Sequence, residues 1–209
     1  MDFKRIMLEL SKKRPIFHSE ADFQHALAWQ ISQMYKDFSV RLERRFKIKG
    51  DTLSIDVFLL SSGGNIPIEL KYFKQKIEVN HRAEEFVLPN QVARDLGRYN
   101  FLKDIKRIED VLDSSPAKEG YCLVLTNDPL YWTEYWQNRR KKTKDHNFRI
   151  FEGKQLSGTI NWINPTEKAS TKFPAISFRG NYEVKWNDFS NEFEEEKFGK
   201  FRWLLIKVK

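Results

Sequence analysis

Apolar residues recur at three- and four-residue spacings through "EADFQHALAWQISQMYKDF", where Phe23, Leu27, Ile31 and Met34 share one face behind Ser19, a residue suited to capping a first turn. That spacing predicts a helix. The pattern then turns to alternation. Val40, Leu42, Phe46 and Ile48 alternate with Arg41, Glu43, Arg45 and Lys47, with Arg44 interrupting the apolar row, which predicts a strand with a basic outer row. Two further strands, Thr52 to Leu60 and Ile66 to Phe73, flank "SSGGN", residues that tolerate the positive φ of hairpin turns. A polar loop is expected next. Pro89 can open a long helix whose stripe is Leu88, Val92, Leu96, Tyr99, Leu102, Ile105, Ile108 and Leu112, closed by "SSPAKEG". "YCLVLTND" is nearly all apolar, as a strand covered on both faces would be. A helix is expected in "PLYWTEYWQ", and further strands in "FRIFEGKQLSGTINW", "YEVKWNDF" and "FRWLLIKVK".

The order is therefore helix, three strands, helix, strand and a β-rich tail. Short links make the first three strands an antiparallel meander with helices packed on it, an α/β sandwich. A chain of 209 residues without a repeat or a linker-like stretch is read as a single domain, 1–209. Its 40% hydrophobic and 14% aromatic content supports a packed core. The formal net charge of +8 favours a polyanionic partner such as nucleic acid. A membrane partner is not expected, because apolar runs such as "WLLI" at Trp203 to Ile206 are far too short to span a bilayer. The beginning "MDFKRIMLELSKKRP" lacks the apolar block of a secretory signal, and Cys122, the one cysteine, can form neither an intrachain disulfide nor a cysteine-based zinc site. Both features point to the cytoplasm.

Candidate chemistry lies in the second and third strands. Alternation puts Leu53, Ile55, Val57 and Leu59 on one side and Ser54, Asp56, Phe58 and Leu60 on the other; it likewise separates Ile66, Ile68 and Leu70 from Pro67, Glu69, Lys71 and Phe73. A register that sets Val57 against Ile68 and Leu59 against Ile66 also brings Asp56 beside Glu69, with Lys71 on their face. Adjacent carboxylates repel unless a cation lies between them, and hard oxygen ligands suit Mg²⁺ or Mn²⁺. Lys71 can orient or help deprotonate a water, or stabilise charge growing on a phosphate. The competing reading makes all three the solvent face of a half-buried sheet.

This arrangement resembles the PD-(D/E)XK nuclease superfamily, with its restriction-endonuclease-like core of helix, three-stranded meander, helix and strand. The resemblance covers residues 16–128, leaving 129–209 as a β-rich C-terminal extension that completes the sheet. It implies a metal-dependent nuclease hydrolysing phosphodiester bonds, most simply in DNA, with Asp56, Glu69 and the Leu70 carbonyl holding the metal and Lys71 assisting the attacking water. Glu20, in "HSEADFQ", stands where a helix preceding the strands adds a further acid, and Gln91, in "LPNQVARDLGRY", stands where the second helix carries a glutamine. Two departures are visible. Ile55 replaces the proline of the motif's name, and Asp95 stands where the repair-exonuclease branch carries a tyrosine. The alternative is a non-catalytic nucleic-acid-binding protein with a nuclease-like fold.

Glu20 and Asp22 also suit a helix's first turn for the macrodipole alone, and Gln91 can be simply a polar residue of its helix. Asp95 and Arg98 can form an exposed ion pair nearby. His18, His25, His81 and His146 lack the spacing of a helical zinc site. Candidate phosphate contacts are Arg41, Arg45 and Lys47 on the first strand and Arg139, Arg140, Lys141, Lys142, Lys144 and Arg149 in the basic stretch, which can equally be a solvated loop. Cleavage of both strands of a duplex by one small site would call for a homodimer.

Overall fold

The computed structural model describes residues 1–48, 50–134 and 142–209. It begins with a helix absent from the expected order. In α1 (Phe3–Lys13), Asp2 caps the first turn through Arg5 N–H at 3.0 Å, and Phe3, Ile6, Met7 and Leu10 form the buried face. Helix α2 (Glu20–Met34) follows as predicted, its Ser19 Oγ accepting from Asp22 N–H at 3.1 Å. Strands β1 (Ser39–Ile48), β2 (Asp51–Leu60) and β3 (Ile66–Phe73) then form the expected antiparallel meander.

The stretch expected to be a polar loop is a second hairpin. Strands β4 (Ile77–His81) and β5 (Glu84–Leu88) pair through Ile77, Val79, Phe86 and Leu88, which are buried, while Arg82 and Ala83 turn at φ 49° and 65°. Its charged residues mask a period-two pattern. As a result α3 (Arg94–Ser114) starts five residues later than Pro89: Leu88 is committed to the hairpin, Val92 is exposed, and Ala93 lies in the left-handed region. Strand β6 (Gly120–Thr126) is buried at every position.

Beyond it come α4 (Pro129–Trp132), β7 (Gln155–Leu156), β8 (Thr159–Ile160), α5 (Glu167–Lys172), β9 (Ile176–Ser177), β10 (Tyr182–Glu183), β11 (Trp186–Ser190) and β12 (Phe201–Val208). Strand β12 pairs with β6 and β11 with β12, giving a six-stranded sheet in the order β1-β2-β3-β6-β12-β11. Among the described residues only β3 and β6 run parallel in it, joined through α3, so the fold is mixed α/β with a mostly antiparallel sheet. Among the described residues no helix is long and apolar enough to cross a membrane.

Two cores sandwich the sheet. Helices α1 and α2 pack on Val57, Leu59, Ile68, Leu70 and Tyr72, and α3 packs on the opposite face with Phe58, Phe73, Cys122 and Val124. Cys122 is a small core residue, as its surroundings in the sequence suggest. Gly120 lets α3 approach: a Cβ there would stand 2.5 Å from Ile108 Cγ2 and 3.0 Å from Pro67.

Candidate active site

The expected register is present where it was read, with Val57 opposite Ile68 and Leu59 opposite Ile66. The ladder stops there. Regular alternation also fails, because Ile55 belongs to the α3-side core with Phe58 whereas Val57 and Leu59 belong to the other. The β1–β2 ladder is interrupted at the same point, between Leu42↔Val57 and Arg44↔Ile55, where Glu43 adopts φ 50°. The two-strand ribbon therefore reverses its faces at Asp56. Leu53 and Ile55 do not share a side with Val57 and Leu59, as strict alternation required. Gln24 of α2 fills the interruption, its Nε2 donating to Glu43 Oε1 and to the Asp56 carbonyl, each at 2.7 Å.

Once β2 leaves β3, the N–H groups along that edge of β3 need other acceptors. Leu70 N–H donates to Asp56 Oδ2 at 2.6 Å, Tyr72 N–H to Glu20 Oε2 at 2.7 Å, and Lys74 N–H to Gln91 Oε1 at 3.3 Å. Three residues singled out in the sequence thus lie along one edge, two taking an N–H of β3 and Gln91 that of Lys74 just beyond it. Gln91 lies in the link before α3 and not in its first turn; its own N–H donates back to the Lys74 carbonyl at 2.9 Å.

Glu69 and Lys71 point to the α3 side, and they do not face open water. The Glu69 side chain is 1% exposed, and Arg107 donates to its Oε1 at 2.8 Å. Lys71 Nζ lies 2.9 Å from Asp104 Oδ2 and donates to the Leu70 carbonyl at 2.9 Å. Asp104 and Arg107 were not found from the sequence. A signal existed: Asp104 lies at helical spacing with Phe101, Ile108 and Val111, all buried, so an acid there is buried too.

Four carboxylates (Glu20, Asp56, Glu69, Asp104) therefore gather around Lys71 and Arg107, with Lys74 also near Glu20, and fully ionised they would leave a negative charge in excess. The protonation of the group reflects this. Burial, followed by Asp104 and Asp56, pushes Glu69 up to about 9 against the opposing pull of Arg107. Glu20 is also raised, chiefly because its carboxyl is packed round by protein although the residue as a whole remains at the surface. Asp104 is raised by burial, with Lys71 opposing. Burial works against the Lys71 ammonium, but Asp104, Glu20 and Asp56 outweigh it and hold its pKa above the ordinary lysine value. In this state Lys71 is a hydrogen-bond donor, to the Leu70 carbonyl.

Among the described residues no three His, Cys, Asp or Glu side chains are spaced as a ready metal-binding set. Mg²⁺ is commonly held by only one or two carboxylates, with water and phosphate completing its shell. The oxygens here meet that smaller requirement. Glu69 Oε2 is buried without a hydrogen-bond partner, Asp56 uses one oxygen for Leu70 N–H, and the excess negative charge favours a cation.

The basic candidates divide. Arg41, Arg45, Lys47, Lys142 and Lys144 are exposed, but the face reversal puts Arg41 with Phe58 on the α3 side and Arg45 and Lys47 on the other, so they form no single row. Arg139, Arg140 and Lys141 lie outside the described residues. Arg149 is buried, bonded to Thr143 Oγ1 at 3.1 Å, and Arg98 is buried against Asp145 at 2.6 Å, not exposed beside Asp95. Tyr131 is core, stacked on Phe73 with 4.4 Å between ring centres. No protein-family model matches the chain, and neither a curated protein nor a solved structure matches it.

Proposed function

We propose that the chain is a metal-dependent nuclease that hydrolyses phosphodiester bonds in DNA, built on a restriction-endonuclease-like core. The observation that carries this reading is the parting of β2 from β3 at Asp56, beside which Glu20, Asp56, Glu69 and Lys71 cluster with Glu69 Oε2 buried and unpaired. The order of α2, the meander, α3 and β6 supports it, as does the charge of +8.

Asp56 and Glu69 would hold Mg²⁺ or Mn²⁺ with the Leu70 carbonyl, and Glu20 would complete the set. When bound, the cation would acidify a water and offset the charge of the scissile phosphate. Lys71, fixed by Asp104, donates toward phosphate oxygens as negative charge grows on them. Gln91 is a positioning residue: it ties the end of β3 and so sets where Lys71 stands. Arg107 holds Glu69 in place from the other side.

One observation favours the non-catalytic alternative. Glu69 and Lys71 already have partners in Arg107 and Asp104, and Glu20, Asp56 and Gln91 already serve the β3 backbone. A scaffold that keeps those pairs closed would bind nucleic acid in a salt-sensitive way without cutting it.

Incubation with plasmid and oligonucleotide DNA plus Mg²⁺ or Mn²⁺ tests the reading. Cleavage is expected in the native chain, and Lys71→Ala and Asp56→Ala should each lower it by roughly 10²–10³-fold. Unchanged cleavage in both variants would overturn the site assignment.

A further inference from the structure

An open groove of about 700 Å³ borders the acid cluster on its α3 side. This lies within the range of about 300–1,000 Å³ typical of small-ligand sites. Lys103, Lys106, Arg107 and Asp110 line one wall, an excess of positive charge. Lys106 is taken up by Asp110 at 3.0 Å, whereas Lys103 has no acidic partner among the described residues and lies 6.0 Å from the Tyr99 ring centre. The floor and far wall are apolar: Ile48, Leu53, Tyr99, Pro174 and Ile176. Arg107 belongs to both places: its guanidinium bonds Glu69, and the residue lines the groove.

A ligand for this groove must carry an anionic group toward α3 and a flat apolar body toward the Pro174 side, and it must lie one side chain from Glu69. A nucleotide of a polynucleotide strand meets all three conditions. Its base can reach the apolar floor only if it is neither paired nor stacked in a duplex. We propose that the groove holds one nucleotide of an unpaired DNA strand beside the scissile phosphate, with its phosphate on Lys103 and Arg107, so that the substrate is single-stranded or frayed DNA. This rests on the nuclease reading for the position of the cut, but the groove's binding is measured without cleavage.

The test uses the full chain with a fluorescein-labelled single-stranded DNA oligonucleotide in chelator, followed by anisotropy at several salt concentrations. Two variants are compared, Lys103→Glu and Ala175→Trp, both at exposed positions on opposite walls, with melting curves matched to the native chain. Each is expected to weaken binding about ten-fold or more, and Lys103→Glu to lower the salt slope by about 1. Unlabelled single strand should compete about ten-fold better than duplex of the same length. Native-like binding by both variants, or equal competition by duplex, overturns the groove assignment. If that happens while the native chain cuts DNA and Asp56→Ala does not, the nuclease reading survives the loss of the groove. Weakened binding in both groove variants, alongside cleavage that Asp56→Ala and Lys71→Ala leave unchanged, upholds the groove and removes the catalytic site.

Discussion

Glu69→Gln isolates the electrostatic cost built into the site. The Glu69 pKa moves from an ordinary 4.5 to about 9, through burial first and then Asp104 and Asp56. Because the folded-state pKa is raised, the group's contribution to stability is fully present below about pH 4.5 and is lost as pH rises through about 9. Within that window each pH unit costs about 1.4 kcal/mol, so a rise of two units costs ~3 kcal/mol. A glutamine stays neutral throughout. Urea melts of both proteins in chelator, from about pH 5 to about pH 9, should show the native chain losing stability relative to the variant along that slope. Adding Mg²⁺ should then restore the native chain near pH 8, by about 2.7 kcal/mol at one hundred times Kd, and should help the variant less. Parallel pH profiles would refute the burial argument, and an equal response to Mg²⁺ would refute Glu69 as a metal donor.

Lys71→Met leaves Asp104, whose side chain is 4% exposed, without its ammonium and should cost ~3–5 kcal/mol in chemical denaturation. Adding Asp104→Asn should recover most of that loss, and an unrecovered double variant would show that the pair is not what matters. Gln24→Leu removes the amide bridging Glu43 and the Asp56 carbonyl; about 1–3 kcal/mol of stability should go, and cleavage should fall more than in a core variant of equal stability. Gly120→Ala should cost about 1–3 kcal/mol by pushing α3 off the sheet, read as a lowered melting temperature with the same denaturant slope.

Elements with an unmixed local pattern were legible. Helix α2, strands β3 and β6, the existence though not the facing of β1 and β2, and the register of Val57 with Ile68 all follow from spacing that needs no knowledge of distant residues. Where charged residues overlie the period, the local pattern is not legible: Phe3, Ile6, Met7 and Leu10 of α1 are interleaved with lysine, arginine and glutamate, and the β4–β5 hairpin has the composition of a polar loop, which hides the true start of α3. In the site, Asp56, Glu69, Lys71, Glu20 and Gln91 could be nominated one by one. Their partners Asp104 and Arg107 could not, because α3 packs over β3 from some 35 residues away along the chain.

By itself, the amino-acid sequence determined that two acids and a lysine stand on adjoining strands in a register set by burying Val57, Leu59, Ile66 and Ile68. The tertiary structure alone decided what that register becomes. Hydrophobic alternation is indifferent to where a ladder ends, whereas backbone N–H groups are not. When β2 turns away at Asp56, the freed N–H groups of Leu70, Tyr72 and Lys74 must find acceptors, and these come from β2, α2 and the link before α3. That demand draws Asp56, Glu20 and Gln91 to one edge. The burial of β3 beneath α3 then turns the Glu69 and Lys71 face into an enclosed, charge-paired layer.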